Sequence, residues 1–359
     1  MSSIHSDMRQ NLQIGSLRQR LPISLLAQAQ RRYRNERISE SPGGYWLSQC
    51  LHVASRLDKK CSVKNLLSIE SLTKSEILSL VERSGVMKAE RGQHSAHPLR
   101  HQCWAIMFAK SSTRTRVSFE VGIRELGGDV MFLSANDIQL GRGEPIKDTA
   151  RVMGRMIHGA VIRTFEQQDV EDFARFSGIP TVNALTDEEH PCQILADLFT
   201  IMELRGSLDN LKICFIGDGD CNMARSYIWA AARLGFELRI AAPVNYQPPA
   251  DLLARAGGNV IVTTDLSAAA AGADVLYTDV WVSMGKEDEA AFRMAQLSGY
   301  QINADLIALV PDALVMHCLP AYRGKEITED ALEMHADTIF QQAENRLHAQ
   351  KAILSWMVE

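Results

Sequence analysis

The chain has 359 residues, enough for one large or two medium domains, and its 46% hydrophobic and 23% charged residues are typical of an ordinary soluble globular protein. A formal net charge of −5 gives no support for a nucleic-acid partner, and no apolar run approaches the roughly 20 residues that a membrane-spanning helix needs. The seven cysteines are scattered without a CxxC pair, which argues against a disulfide framework or structural zinc site and suits a reducing compartment.

Residues 1–60 differ in composition from the rest of the chain. Up to Arg37 there are seven arginines and no lysine, and Asp7 and Glu36 are the only acidic residues. Arginine-rich, acid-poor N-termini are typical of mitochondrial and plastid transit peptides. The alternative, which we favour, is a lineage-specific extension, and it implies a cytoplasmic protein. Either way, we expect residues 1–60 to be poorly ordered or to serve targeting.

Short apolar segments alternate with amphipathic helical stretches from about residue 62 onward. This alternation predicts parallel sheets covered by helices on both faces. Two series of strands indicate an α/β protein with two doubly wound domains. We predict the domain boundaries as 61–200 and 201–340, followed by a C-terminal helix over 341–359 that returns to the first domain. A long helix from Gln193 to about Arg205 is predicted to join the two domains. The predicted strands are Cys103–Phe108, Asp129–Leu133, Gly159–Thr164, Thr181–Leu185, Lys212–Gly217, Glu237–Pro243, Asn259–Thr264, Asp274–Asp279, Leu314–Leu319 and Thr338–Gln341.

The segment Ser112-Thr113-Arg114-Thr115-Arg116 lies where the first predicted strand gives way to a helix. A helix N-terminus favours anions through its unpaired N–H groups and its dipole. Arginine guanidinium groups add fork-shaped, charge-assisted donors that suit phosphate. The alternative is a solvated, capped helix start with incidental arginines. Three hydroxyl groups and two guanidinium groups at one junction favour a phosphate site.

Further polar residues follow other predicted strands, where ligands of such sheets bind. Arg163 lies near the end of its strand, and His190-Pro191-Cys192-Gln193 follows the next one, with Pro191 suited to the first helical position. The segments Asp279–Gly285 and His317–Pro320 occupy equivalent positions in the second series. Each has a structural alternative, such as a turn aspartate or a core cysteine, but their shared position favours a ligand site.

The segment Gly217-Asp218-Gly219 resembles the first turn of a dinucleotide-binding fold. The third glycine of that fingerprint is missing, because Asn222 occupies its position, and no acidic residue clearly ends a strand about 20 residues later. A nicotinamide-dependent dehydrogenase is therefore the rival from another class. It leaves the Ser112–Arg116 segment unexplained.

Taken together, these residues resemble the aspartate/ornithine carbamoyltransferase superfamily, and its ornithine-specific branch closely. The resemblance covers about Lys64 to Val358. It is carried by Ser112-Thr113-Arg114-Thr115-Arg116, Asp137-Ile138-Gln139-Leu140-Gly141, His190-Pro191-Cys192-Gln193, Asp279-x-Trp281-x-Ser283-Met284-Gly285, His317-Cys318-Leu319-Pro320 and Ala343-Glu344-Asn345-Arg346.

The resemblance implies the carbamoyltransferase fold and transfer of a carbamoyl group from carbamoyl phosphate to L-ornithine, giving L-citrulline and phosphate in arginine biosynthesis or the urea cycle. It implies that Gln139 reaches the neighbouring subunit's site, so that a homotrimer completes it. Arg114, His190, Cys318 and Arg346 are the implied catalytic residues. The implied carbamoyl phosphate ligands are Ser112, Thr113, Arg114, Thr115, Gln139, Arg163, His190, Gln193 and Arg346.

Ornithine would bind the second domain, and the reaction as implied needs neither metal nor cofactor. Members of the family usually have two asparagines directly after Gly-Asp-Gly, whereas Asp220 and Cys221 precede Asn222 in this chain. Two alternatives stay open: a transcarbamylase for another amine such as putrescine, and a catalytically silent regulatory paralogue. The implied ornithine ligands are Asn222, Asp279, Ser283, Met284, Cys318 and Leu319.

Overall fold

The computed structural model describes residues 63–134, 144–282 and 287–359. All of them belong to one compact unit, Val63–Glu359. The N-terminal extension over 1–60 and the predicted site residues Gln139, Ser283 and Met284 lie outside these ranges. Inside them, no helix combines the length and the apolar character needed to cross a membrane.

The first half of this unit is built on a four-stranded parallel sheet with the strand order β2-β1-β3-β4. Its central strands are buried along almost their whole length, as expected for strands with helices on both faces. The elements are α1 (Lys74–Ala89), β1 (Cys103–Phe108), α2 (Thr113–Glu125), β2 (Asp129–Ser134), α3 (Ile146–Met153), β3 (Gly159–Arg163), α4 (Gln167–Ser177) and β4 (Thr181–Leu185).

The second half is built on a five-stranded parallel sheet with the order β7-β6-β5-β8-β9. Its elements are β5 (Lys212–Ile216), α6 (Asn222–Leu234), β6 (Glu237–Ala241), α7 (Ala250–Ala256), β7 (Val260–Thr263), α8 (Leu266–Ala270), β8 (Val275–Thr278), α9 (Ala290–Leu297), α10 (Ala304–Ala308), β9 (Leu314–His317) and α11 (Glu329–Met334). Short 3-10 helices lie at Val244–Tyr246 and Glu287–Glu289.

Two long helices connect the halves. Helix α5 (Pro191–Arg205) follows β4 and is buried over its first eleven residues, and the 22-residue α12 (Ala336–Met357) ends the chain. Helix α12 packs against α1, α2 and α5. One hydrophobic core runs from the first sheet through α5 to β5, β6 and β8 of the second. The C-terminal helix is therefore part of the scaffold of the first half.

Nine of the ten predicted strands are confirmed, with ends within two residues of those predicted. The strand predicted at Thr338–Gln341 is wrong, because this segment lies inside α12. Its β-branched and aromatic residues favour a strand locally. The buried residues Ile339, Gln342 and Arg346 instead recur every three or four positions, while Phe340 is 55% exposed, so packing against the core selects the helix.

Candidate active site

A cavity of about 320 Å³ lies where the carboxyl ends of the two sheets meet. Polar residues from the end of β3 and from the loops after β1, β4, β8 and β9 line it, together with the starts of α5 and α6 and one residue of α12. Most predicted site residues are brought together there, namely Ser112, Thr113, Arg114, Arg163, His190, Gln193, Asn222, Asp279, Cys318, Leu319 and Arg346. Thr115 does not line the cavity but is buried directly behind it.

The start of α2 forms one wall of the cavity. Ser112 is its N-cap in an extended conformation, and its Oγ accepts from the Thr115 backbone N–H at 3.4 Å. The same hydroxyl donates to Thr115 Oγ1 at 3.0 Å. Arg346 donates from Nη2 to Thr115 Oγ1 at 2.5 Å, which ties the C-terminal helix to this junction. The predicted anion site is thus built from a capped helix N-terminus and a guanidinium group from α12.

Three guanidinium groups line this side, from Arg114, Arg163 and Arg346. Burial and, to a smaller extent, the charge of Arg346 together lower the pKa of Arg163 to about 10. The pKa of Arg346 is lowered mainly by burial as well. Both remain cations at neutral pH. Among the described residues, the Nε atoms of Arg114 and Arg346 are buried without a hydrogen-bond partner, so donors and positive charge are available to a bound anion.

His190 lies at the N-cap of α5, with Pro191 at the first helical position as predicted. Its backbone N–H donates to Ser226 Oγ at 2.9 Å. Burial lowers the pKa of His190 well below 6.5, and the charges of Arg346 and Arg163 lower it further. The ring is therefore neutral at physiological pH, with one nitrogen protonated. A neutral imidazole is suited to donating a hydrogen bond without adding a fourth charge.

Gln193 lies one turn into α5 and is fully buried. Its Nε2 donates to Asp197 Oδ1 at 2.8 Å. Within the described ranges its Oε1 is buried and has no hydrogen-bond partner. The cavity therefore contains a carbonyl acceptor beside its cationic groups, and such a buried acceptor favours a ligand with an N–H group.

The opposite wall carries a carboxylate and a thiol. Asp279 follows β8, and its Oδ1 accepts from the Val280 N–H at 2.8 Å and from Cys318 Sγ at 3.0 Å. Burial raises the pKa of Cys318 well above 9, and the neighbouring Asp279 raises it further. Cys318 is therefore a neutral thiol, which excludes a thiolate nucleophile at neutral pH.

Leu319 and Asn222 have constrained conformations. Leu319 has a left-handed φ of 57°, which is unusual for a residue other than glycine, and its N–H donates to His317 Nδ1 at 2.9 Å. Asn222 begins α6, and its Nδ2 donates to the Thr186 carbonyl at 2.7 Å. One hydrogen of that amide is thus already engaged.

The donor atoms of Asp279, His317 and Cys318 lie within 4.8 Å of one another and form the group in the described part of the chain best able to hold a metal ion. His317 Nδ1 accepts from Leu319, and its Nε2 lies 3.3 Å from Glu326 Oε1. A metal ion would have to displace one of these contacts and the proton of the Cys318 thiol.

Sequence reasoning missed several cavity residues. Lys110 is buried, forms an ion pair with Asp187, and its Nζ lies 4.1 Å from the ring centroid of Phe165. Tyr322 lines the cavity from the loop after β9. The only available signal for Lys110 was its position two residues before Ser112. Asp187 and Tyr322 lie next to predicted motifs but carry no pattern of their own.

Comparisons with known proteins identify two family models in this chain. The aspartate/ornithine carbamoyltransferase carbamoyl-P binding domain matches residues 64–203, and the Asp/Orn binding domain of the same family matches residues 209–357. A curated ornithine carbamoyltransferase from Akkermansia muciniphila is 61% identical over 301 residues, which cover 83% of this chain and 99% of that protein. The anabolic ornithine carbamoyltransferase of Pseudomonas aeruginosa is 47% identical over 300 residues, covering 83% and 98%.

Solved structures agree with this relationship. The anabolic ornithine carbamoyltransferase from Campylobacter jejuni has a TM-score of 0.77 at 41% identity and covers 82% of this chain and 98% of its own. The ornithine carbamoyltransferase from Pyrococcus furiosus has a TM-score of 0.76 at 41% identity, with 81% and 96% covered.

Proposed function

The chain belongs to the aspartate/ornithine carbamoyltransferase family, and on that premise we propose that it acts as an ornithine carbamoyltransferase in arginine biosynthesis. The reaction converts carbamoyl phosphate and L-ornithine into L-citrulline and phosphate. The observation that carries the proposal is that three arginines and the Asp279–Cys318 pair line the same cavity. One wall suits a phosphorylated donor and the other a cationic amine acceptor.

Carbamoyl phosphate is assigned to the wall formed by α2. Its phosphate accepts hydrogen bonds at the capped N-terminus of α2 and from the arginine side chains, and Arg346, His190 and Thr115 polarise its carbonyl oxygen. The neutral state of His190 fits donation to this oxygen. The amino group donates to Gln193 Oε1, which is otherwise unpaired among the described residues. The phosphate ligands are Ser112, Thr113, Arg114, Thr115 and Arg163.

L-Ornithine is assigned to the wall formed by the loops after β8 and β9. Asp279 pairs with the α-ammonium group. The Val280 N–H and the Cys318 thiol both donate to its Oδ1, which leaves Oδ2 to the ligand. Cys318 and the Leu319 carbonyl orient the δ-amine. Asn222 contributes to binding the α-carboxylate together with Ser283 and Met284, two residues outside the described ranges.

The transfer requires no nucleophilic side chain. The neutral δ-amine attacks the carbamoyl carbon, the carbonyl π bond breaks, and a tetrahedral intermediate forms with its negative charge on oxygen. Arg346, His190 and Thr115 stabilise this oxyanion, and each preorganised donor contributes roughly 3–4 kcal/mol. The C–O bond to phosphate then breaks as the carbonyl reforms, and the leaving phosphate takes the amine proton. Binding both substrates in one cavity supplies much of the remaining rate enhancement.

We also propose that the chain forms a homotrimer, in which Gln139 of each subunit reaches the active site of its neighbour. Gln139 lies outside the described residues, and its role rests on its match to the family motif.

We propose a cytoplasmic location. The match to the Akkermansia muciniphila protein covers 99% of that protein and 83% of this chain, so the extension over 1–60 has little counterpart there. Sequencing the amino terminus of the mature protein tests this. A terminus that begins near residue 60 would instead support cleavage of an organelle transit peptide.

The proposed activity is tested by measuring carbamoyl transfer from carbamoyl phosphate to L-ornithine, putrescine and L-aspartate. We expect citrulline formation, and a kcat/KM for putrescine at least about 100-fold lower, because putrescine keeps both amino groups of ornithine but lacks the α-carboxylate and so leaves the carboxylate ligands, Asn222 among them, unpaired. Turnover with putrescine or aspartate but not with ornithine would assign the chain to another acceptor. Absence of transfer to all three amines would favour a catalytically silent paralogue.

A further inference from the structure

Asp197 lies beneath the active site and touches residues from four elements. It is fully buried in α5, one turn after Gln193. Its Oδ1 accepts from Gln193 Nε2 at 2.8 Å and from Gln342 Nε2 of α12 at 2.7 Å. Its Oδ2 accepts from Tyr227 Oη of α6 at 3.0 Å, and Tyr277 of β8 also donates to this carboxyl group. A buried carboxylate with this many donors is held in one orientation.

The charge of Asp197 determines which end of each glutamine faces it. Burial raises the pKa of Asp197 to about 6, while the amide and hydroxyl donors keep it from rising further. The group is therefore ionised at neutral pH, and an ionised carboxylate only accepts hydrogen bonds. The Gln193 amide must turn its NH2 group to Asp197, and its carbonyl oxygen must face away.

The consequence for the cavity follows from the two-ended shape of an amide. Gln193 lines the cavity, and its Oε1 is buried without a partner in the described part of the chain. If the amide were flipped, an NH2 group would occupy this position beside three guanidinium groups. The cavity would then lose the Gln193 acceptor for the amino group of carbamoyl phosphate.

Gln342 is oriented by the same carboxylate oxygen. Because its Nε2 donates to Asp197, its Oε1 is left to accept from the His317 backbone N–H, at 2.9 Å. His317 ends β9 and directly precedes Cys318 of the opposite wall. One buried carboxylate thus orients two amides: that of Gln193, which lines the cavity, and that of Gln342, which holds the backbone next to Cys318.

We propose that Asp197 is a positioning residue that presents the Gln193 carbonyl oxygen to the amino group of the donor, and so makes the site select carbamoyl phosphate over acyl phosphates that lack an amino group. This inference rests on the proposed function. Acetyl phosphate has nearly the same shape, with a methyl group in place of NH2. Its binding would leave Gln193 Oε1 desolvated and unpaired, and sites built around such a polar contact reject analogues that cannot make it.

The test compares the dissociation constants of carbamoyl phosphate, acetyl phosphate and inorganic phosphate for wild-type protein and the Asp197→Leu variant. The wild type should bind carbamoyl phosphate more tightly than acetyl phosphate. Asp197→Leu should lower the ratio of the carbamoyl phosphate affinity to the acetyl phosphate affinity about 10-fold, because the Gln193 amide is no longer held and its hydrogen bond to the donor's amino group is lost. Its affinity for inorganic phosphate should stay within about 3-fold, since the phosphate ligands lie elsewhere. An unchanged ratio would overturn the proposal.

A double-mutant comparison separates positioning from a general structural effect. Gln193→Leu removes the acceptor itself, so adding Asp197→Leu to it should not change the ratio further. An equal further drop would mean that Asp197 acts by another route. The matched control is Thr200→Val on the same helix, where a buried hydroxyl that accepts from Asn345 at 3.0 Å is lost. It should lower stability without changing the ratio.

Asp197→Asn provides a second variant if Asp197→Leu does not fold. The asparagine keeps one carbonyl oxygen for the glutamines but loses the charge, so we expect a smaller drop of about 2- to 5-fold in the ratio. A ratio equal to that of the wild type would count against the proposal. Wild-type protein that binds neither acyl phosphate would overturn the proposed function itself, which separates the two failures.

Discussion

Burial sets the charge state of the residues around the cavity. His190 stays neutral and Cys318 stays a thiol because each is buried, and nearby charges act in the same direction. The arginines stay charged because their ordinary pKa is far above neutrality even after burial lowers it. The site therefore combines fixed cations, a neutral imidazole donor and a carbonyl acceptor. This suits stabilising a developing oxyanion better than proton transfer by a side chain.

Glu189, next to His190, allows a test of how burial affects stability. It is 4% exposed, and its Oε2 accepts from the Ile69 N–H at 2.9 Å and from Ser226 Oγ at 3.2 Å. Burial raises the pKa of Glu189 from 4.5 to about 7. The pKa of Glu189 is therefore higher in the folded than in the unfolded protein. Its contribution to the free energy of unfolding is fully present below pH 4.5 and is lost as pH rises towards 7.

Glu189→Gln keeps a carbonyl acceptor and cannot ionise, so it removes this loss. We expect the variant to gain about 2–3 kcal/mol over wild type between pH 5 and pH 8.5, measured by urea unfolding at both pH values. Glu82→Gln, at an exposed position of α1, is the matched control and should behave as wild type at both. A Glu189→Gln variant with the same pH dependence as wild type would contradict the shifted pKa.

The sequence predicted which residues meet at the cavity, but not how their hydrogen bonds connect. Arg163, His190 and Asp279 were found because Arg163 ends an apolar strand and the other two lie in the segments that follow such strands, and parallel strands end at one edge. Asp197 carries no such signal. Its partner Gln342 lies 145 positions away in a helix whose first turns were predicted as a strand. Contacts of this kind depend on tertiary packing that local pattern does not encode.

At the scale of elements, strand β3 shows how packing places a site residue. It begins at Gly159, which lies beside Trp104 of β1, and ends at Arg163 in the cavity. A Cβ atom at Gly159 would come within 2.6 Å of three ring atoms of the fully buried Trp104. Glycine is therefore required here by the close approach of an indole ring from the neighbouring strand.

Gly159→Ala should destabilise the protein by about 1–3 kcal/mol, because the ring of Trp104 has no free space into which to move. Thermal unfolding of the variant and wild type measures this. The matched control is Gly299→Ala, where an added Cβ would meet no atom within 4 Å. Equal melting temperatures for Gly159→Ala and Gly299→Ala would show that β1 and β3 adjust freely, contrary to the packing.

At the scale of the whole molecule, the cavity exists only because distant parts of the chain return to one place. The hydrogen bond from Arg346 to Thr115 spans 231 positions, and α12 reaches the first half by packing on α1, α2 and α5. The predicted domain boundaries at 200 and 340 stay a prediction. The family models end and begin near the first of them, at 203 and 209, whereas the second model continues past 340 to residue 357.

The proposed trimer leads to a prediction about mixed subunits. If Gln139 acts in the neighbour's site, Arg114→Ala and Gln139→Ala damage different components of one shared site. Each variant alone should be nearly inactive, because every site lacks either the phosphate ligand or the neighbour's contribution.

In trimers assembled at random from equal amounts of both, a site is intact when its own subunit keeps Arg114 and its neighbour keeps Gln139. About one quarter of the sites meet both conditions, so unfolding and refolding the two variants together should restore about 25% of wild-type activity. Each variant refolded by itself is the control. A mixture no more active than its components, with trimers verified by light scattering, would mean that each subunit builds its site alone.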